Sequence, residues 1–234
     1  MWKDRFRNLL GDTSSGNGRP ATAPPSRRNL KGSGPVKGSP APFTRNSSGT
    51  DQFFRAIHTE DPLSILDLTG ASQANISFLT GLGHRLSSDD ILATMDQCFG
   101  SDEWLENQQV EGKIKKFLEL SLNFPEQQFD AALVWDTLQF LVSPLLEQTI
   151  ERLLRVMKPG GLILAFFSSE EKVSQMPVYS YRIQDPKTLL LIPRGDSRQI
   201  QYFNNRTLER LFAQAQSVKF FLSRDHLREV IVRR

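Results

Sequence analysis

Cysteine is almost absent from this chain: Cys98 is the only one among 234 residues. A single thiol excludes an internal disulfide, fits a reducing compartment and reads as a small buried side chain. Histidine is scarce as well. His58, His84 and His226 show no metal-ligand spacing, so no metal site is expected. Long apolar runs are missing too. The longest, Leu162 to Phe167, falls far short of the ~20 residues that a membrane helix needs. The opening MWKDRFRNLLG lacks the apolar core of a signal peptide. These absences lead to the expectation of a cytoplasmic protein without a transmembrane segment.

Charge of one sign is concentrated at one end. Residues 1–50 carry nine Lys/Arg against two Asp/Glu, whereas residues 51–234 carry 20 against 24. The excess of base therefore belongs to the tail and is no sign of a nucleic-acid-binding face on the domain. Residues 12–50 are mostly Ser, Gly, Pro, Asn, Thr and Arg. Such a stretch buries too little apolar surface to offset its ordering entropy, so residues 1–50 are expected to form a disordered basic tail. Trp2, Phe6, Leu9 and Leu10 share a helical face edged by Lys3, Arg5 and Arg7, a pattern suited to an anionic partner or membrane surface. A frayed terminus is the plainer reading of so short a segment.

From Asp51 to the C-terminus the pattern is that of one α/β domain. SILDL (64–68) is a short apolar strand ending in an acid. Residues 72–82 read as a helix with Ile76, Leu79 and Leu82 inward, stopped by Gly83. A second strand, HRLSS (84–88), precedes Asp89-Asp90 and a helix with Ile91, Leu92, Met95 and Phe99 on one face. FDAALVW (129–135) is an apolar strand, Pro144 to Met157 a helix, and Lys158-Pro-Gly-Gly161 a turn into the strand LILAFF. Continuous apolar strands alternating with helices point to a parallel sheet covered on both faces. A helix follows at 205–214. SVKFFL (217–222) and LREVIVRR (227–234) then lie so close together that they must pair antiparallel. Residues 168–204 are an insertion whose alternation predicts an added hairpin, with Arg194-Gly-Asp196 as a turn.

Four segments, LSILDLTGASQ, GHRLSSDD, NFPEQQFDAALVWDTLQFL and LLRVMKPGGLILAFF, resemble the class I S-adenosylmethionine-dependent methyltransferases. The resemblance implies a Rossmann-like seven-stranded sheet, mostly parallel, with an antiparallel C-terminal hairpin and helices on both faces. It also implies S-adenosylmethionine as cofactor. In that family the first strand leads into acid-x-Gly-x-Gly-x-Gly. Overlaid without gaps, the acid falls on Asp67 and the glycine positions on Thr69, Ala71 and Gln73, with Gly70 between them. Glycine there allows a tight turn and close approach of the cofactor, so this first motif is atypical.

The resemblance makes Asp67, Thr69, Gly70, Ala71, Asp90 and Asp136 the candidate cofactor-binding residues. Asp90 falls on the acid that accepts hydrogen bonds from the ribose hydroxyls. Asp89 is its understudy, and a helix N-cap is the structural alternative for either. Glu119 is the nearest candidate for an acid beside the adenine. Asp136 ends the fourth strand, where the family borders the methionine part of the cofactor and the substrate. A cap for the following turn is the alternative, and Trp135 is read as core.

Methyl transfer from a sulfonium needs positioning more than a catalytic triad, so no catalytic residue is singled out. Tyr179, Tyr181 and Arg182 are candidates for the acceptor wall; the alternative is a hairpin that simply covers the sheet or makes a dimer contact. The turn W-D-T-L after the fourth strand differs from the N-P-P-Y type, which favours a small-molecule acceptor. The competing expectation is an inactive methyltransferase-fold binding or scaffold module tethered by its basic tail, motivated by the missing glycines. A nicotinamide oxidoreductase is disfavoured because G-x-G-x-x-G is absent.

Overall fold

The computed structural model describes residues 41–70, 72–100, 103–223 and 226–234. Its central sheet has the order β3-β2-β4-β5-β9-β8. Strands β2 (Ser64–Asp67), β3 (Arg85–Ser88), β4 (Phe129–Trp135) and β5 (Met157–Ser168) run parallel. Strand β9 (Leu227–Arg233) lies antiparallel between β5 and β8 (Ser217–Leu222). The chain thus finishes with the antiparallel hairpin that the short link demanded. Among the described residues this sheet has six strands, one fewer than the family pattern implied. Between β3 and β4 the chain forms α3 (Ile91–Phe99), α4 (Trp104–Asn107) and α5 (Glu111–Leu120) instead. The physical reason is legible in EGKIKKFLEL. Its Ile114 and Phe117 are buried with a helical spacing of three while the charged residues stay outside.

Side chains alternate across the sheet as strand geometry requires. Leu66, Ala132, Val134, Ile163, Ala165, Phe167, Val230 and Val232 join one core with α3, α5 and α6 (Leu145–Val156). Ile65, Ala131, Leu133, Trp135, Leu164, Phe166 and Ile231 join the other with α1 (Ser48–Ala56) and α2 (Gln73–Gly81). Lys158-Pro-Gly-Gly161 lies inside β5, at a register shift against β4, rather than forming a turn before the strand, and this irregular start needs its glycines. Gly160 has φ +78°, and a Cβ on Gly161 would lie 2.9 Å from the Lys158 carbonyl.

A second sheet covers the face that carries α1 and α2. The 168–204 insertion forms the expected hairpin, β6 (Gln175–Asp185) with β7 (Thr188–Gln199), and the Arg-Gly-Asp sequence lies within β7 rather than making a turn. The third member is β1 (Phe43–Asn46), antiparallel to β7. The folded domain therefore begins before Asp51. Ser47 caps α1 by accepting from Thr50 N, and Arg45 pairs with Glu229 of β9 at 2.6 Å, both side chains buried. Composition hid this start because one strand and one buried ion pair suffice to hold a Ser/Gly-rich stretch. The expectations for residues 1–40, including the Trp2–Leu10 face, lie outside the described residues. No helix among the described residues is long and apolar enough to cross a membrane.

Candidate functional site

Three carboxylates stand at the carboxyl ends of three adjacent parallel strands: Asp90 just past β3, Asp67 at the end of β2 and Asp136 just past β4. This is the edge at which open α/β sheets bind ligands. The turn after β2 is held by Asp67 itself. Its Oδ1 accepts from Thr69 N at 3.2 Å, Thr69 Oγ1 at 3.1 Å and Trp135 Nε1 at 2.9 Å, and its Oδ2 accepts from Asn75 Nδ2 at 2.9 Å. Burial pushes the Asp67 carboxyl up, and these donors pull it back.

The geometry answers the glycine question for two of the three replaced positions. Thr69 turns its hydroxyl inward to Asp67 and is buried, so it does not fill the space above the turn. Gln73 is exposed on the first turn of α2, its amide reaching Ser77 along the helix. Ala71 lies outside the described residues. Gly70 has φ +76°, and a Cβ there would sit 3.1 Å from Asp90 Oδ2, so the one retained glycine keeps the turn close to Asp90.

Asp90 caps α3 through Ala93 N at 3.0 Å, which is the structural alternative noted for it. It also faces outward. Its side chain keeps 29% exposure and meets the Arg194 guanidinium, Nη1 to Oδ1 at 3.5 Å and Nη2 to Oδ2 at 3.3 Å. Asp89 points elsewhere: its Oδ2 accepts from Leu122 N at 2.7 Å. Glu119 is exposed on α5.

Trp135 is fully buried, as a core reading requires, yet its backbone has φ +56°, a costly conformation for a bulky residue. A register shift between Leu133 and Trp135 re-aims the end of β4. The indole then bonds Asp67 and stacks on Tyr181, with centroids 4.9 Å apart and planes 5° from parallel. Asp136 follows, wholly buried, and neither of its carboxylate oxygens has a hydrogen-bond partner among the described residues. Burial pushes its pKa up to about 7, against the lowering influence of the Tyr181 hydroxyl and of Arg194 and Arg198. The Tyr181 hydroxyl lies against it but outside normal hydrogen-bond geometry, and burial with the nearby Asp136 drives that phenol well above its usual range.

Tyr179, Tyr181 and Arg182 divide by strand alternation. The tyrosines are buried beneath β6, while Arg182 is exposed on its outer side. Two residues of this region escaped sequence reasoning. Asn75 is fully buried and joins three elements: it donates to Asp67 and to Tyr181 O at 3.0 Å, and accepts from Ile183 N at 2.9 Å. Ile76 and Leu82, expected inward, are instead 36% and 40% exposed, because Asn75 and Leu79 face the sheet. Arg194 carried no signal beyond its charge.

The histidines lie apart from the three carboxylates. His84 Nδ1 accepts from Leu63 N at the start of β2, His226 pairs with Glu170, and His58 is exposed. No cluster among the described residues has the makings of a metal site. A cavity of about 600 Å³ between α6 and α7 (Asn205–Leu211) includes none of the three carboxylates.

Residues 69–165 match the family model described as a methyltransferase domain. No curated protein sequence matches the chain. Among solved structures, a Burkholderia thailandensis 1,6-didemethyltoxoflavin-N1-methyltransferase, with 1,6-didemethyltoxoflavin and S-adenosylhomocysteine bound, is 14% identical. It covers 80% of this chain and 77% of its own, with a TM-score of 0.42. An Aquifex aeolicus S-adenosylmethionine-dependent methyltransferase is 13% identical over 79% of this chain and 88% of its own (TM-score 0.43). One from Methanosarcina mazei is 14% identical over 77% and 96% (TM-score 0.45). The family match spans the first turn through β5, and the Rossmann-like sheet order agrees with a methyltransferase domain there.

Proposed function

We propose that the domain binds S-adenosylmethionine along the carboxyl ends of β3, β2 and β4 and transfers its methyl group to a small-molecule acceptor enclosed by the β6–β7 hairpin. The observation that carries this reading is the row of Asp90, Asp67 and Asp136 on adjacent strand ends. Strands lie about 4.8 Å apart, so Asp90 and Asp136 flank β2 across roughly 10 Å, a span suited to a ligand with a nucleoside at one end and an amino acid at the other. The residues fit the cofactor's nucleoside end. Asp90 is a partly exposed carboxylate, Gly70 keeps the turn low beside it, and Thr69 is tucked away. Bound, the cofactor supplies an electrophilic methyl group on sulfur. The chain's own tasks are then to hold the ribose at Asp90, to fix the turn through Asp67 and Asn75, and to exclude water with Trp135 and Tyr181.

A second reading, an inactive binding module, is favoured by the same hairpin. Asn75 ties β6 onto the first turn, and the Tyr181 ring lies flat on Trp135. Calorimetric titration with S-adenosylhomocysteine separates the two. Micromolar binding to the wild type that is lost in Asp90→Ala supports the cofactor reading. Folded wild-type protein that takes up no ligand sinks it and leaves the binding module.

A further inference from the structure

The hairpin is anchored unevenly. Its distal half is fastened three ways: β1 pairs with β7 from Thr188 to Leu191, Asn75 grips β6 at Tyr181 and Ile183, and Tyr181 stacks on Trp135. The proximal half is Gln175–Pro177 with Arg194–Gln199. It is separated from the distal half by a register shift between Pro177 and Tyr179. Pro177 and Pro193 donate no ladder hydrogen bonds there, and Gly195 has φ +95°. Arg194 to Ser197 are exposed. This half meets α3 through two ion pairs, Arg198 on Asp96 at 2.8 Å and Arg194 on Asp90 at 3.3 Å; Arg198 also lies 5.2 Å over the Trp104 ring, and Met176 packs on the core, so the exposed Arg194 end is its loosest part.

We propose that this proximal half of the hairpin is a displaceable flap, and that the Arg194 guanidinium stands on Asp90 in the place that the ribose diol of the cofactor takes. The inference rests on the cofactor reading above and names how that site is regulated. A guanidinium presents two parallel N–H donors to a carboxylate, as a vicinal diol presents two O–H donors, so the two compete for the same pair of oxygens. The Arg194–Asp90 contact is long in both of its hydrogen bonds, and both side chains keep 29% exposure. Such a pair contributes little and exchanges readily. The hinge is the register shift, and the distal half stays in place as the wall beside Trp135.

The test is calorimetric titration of the full chain with S-adenosylhomocysteine, for the wild type, Arg194→Ala and Asp90→Ala, each checked for folding by thermal melting. Removing the competitor should tighten binding in Arg194→Ala by about threefold to fivefold, the scale of an exposed ion pair. Added salt should strengthen binding to the wild type, where it loosens Arg194 from Asp90, and leave Arg194→Ala without that gain. Hydrogen exchange should show the amides of residues 194–199 less protected when the ligand is bound to the wild type. Equal or weaker binding by Arg194→Ala, with the wild type binding normally, overturns the flap while leaving the cofactor reading intact. Absence of binding by all three folded proteins overturns the cofactor reading and the competition with it.

Discussion

Replacing Asp136 by asparagine should stabilise the protein, and by more as pH rises. The carboxyl is fully buried, its oxygens have no hydrogen-bond partner among the described residues, and its pKa is pushed up to about 7 from an ordinary 3.8. The folded state therefore holds a proton that the unfolded state has lost between those two values. In that window stability falls as pH rises, by about 1.4 kcal/mol per unit, and the loss is complete above the folded value. Three units give a ceiling of about 4 kcal/mol, reduced wherever the hairpin lifts enough to admit water. Asparagine keeps the shape and removes the charge. The variant should match the wild type near about pH 4 and exceed it by about 2–4 kcal/mol near about pH 8. Urea unfolding across that range measures the difference. A difference that stays flat with pH, or a wild type that is the more stable at about pH 8, would refute the assignment of Asp136 as a buried, unpaired acid.

Other perturbations probe the rest of the architecture. Asn75→Ala removes the donor to Asp67 and Tyr181 O and the acceptor for Ile183 N, leaving buried groups unpaired. A loss of about 2–4 kcal/mol in chemical denaturation is expected, and a loss under 0.5 would show that the hairpin is held elsewhere. Arg45→Met takes the guanidinium from the buried Glu229 carboxylate, which keeps the Gly49 N donor, and should cost about 3–5 kcal/mol, most simply read as a lowered Tm. Gly161→Ala forces a methyl to within 2.9 Å of the Lys158 carbonyl and 3.1 Å of the Asp130 carbonyl. It should destabilise by roughly 2 kcal/mol or more, and a neutral substitution would mean that the irregular start of β5 relaxes.

The sequence by itself determined the elements of the central sheet and most of their inward faces. FDAALVW, LILAFF and the final pair of strands announce themselves by continuous apolar character and short links, which are local properties. Ile91, Leu92, Met95 and Phe99 are buried as their spacing foretold. The hairpin within 168–204 was equally local. What only the tertiary structure decided is where that hairpin sits and what it touches. Asn75 and Tyr181 are 106 residues apart, Arg194 and Asp90 are 104, and Arg45 and Glu229 are 184. No periodicity encodes such pairings. The orientation of α2 shows why. Its apolar spacing pointed Ile76 and Leu82 inward, but a buried carboxylate at the end of β2 must be given donors, and Asn75 turned to the sheet supplies one. Thr69 is the other case. As a letter in place of glycine it reads as an obstruction, and only its hydroxyl's bond to Asp67 shows that the side chain leaves the strand end clear.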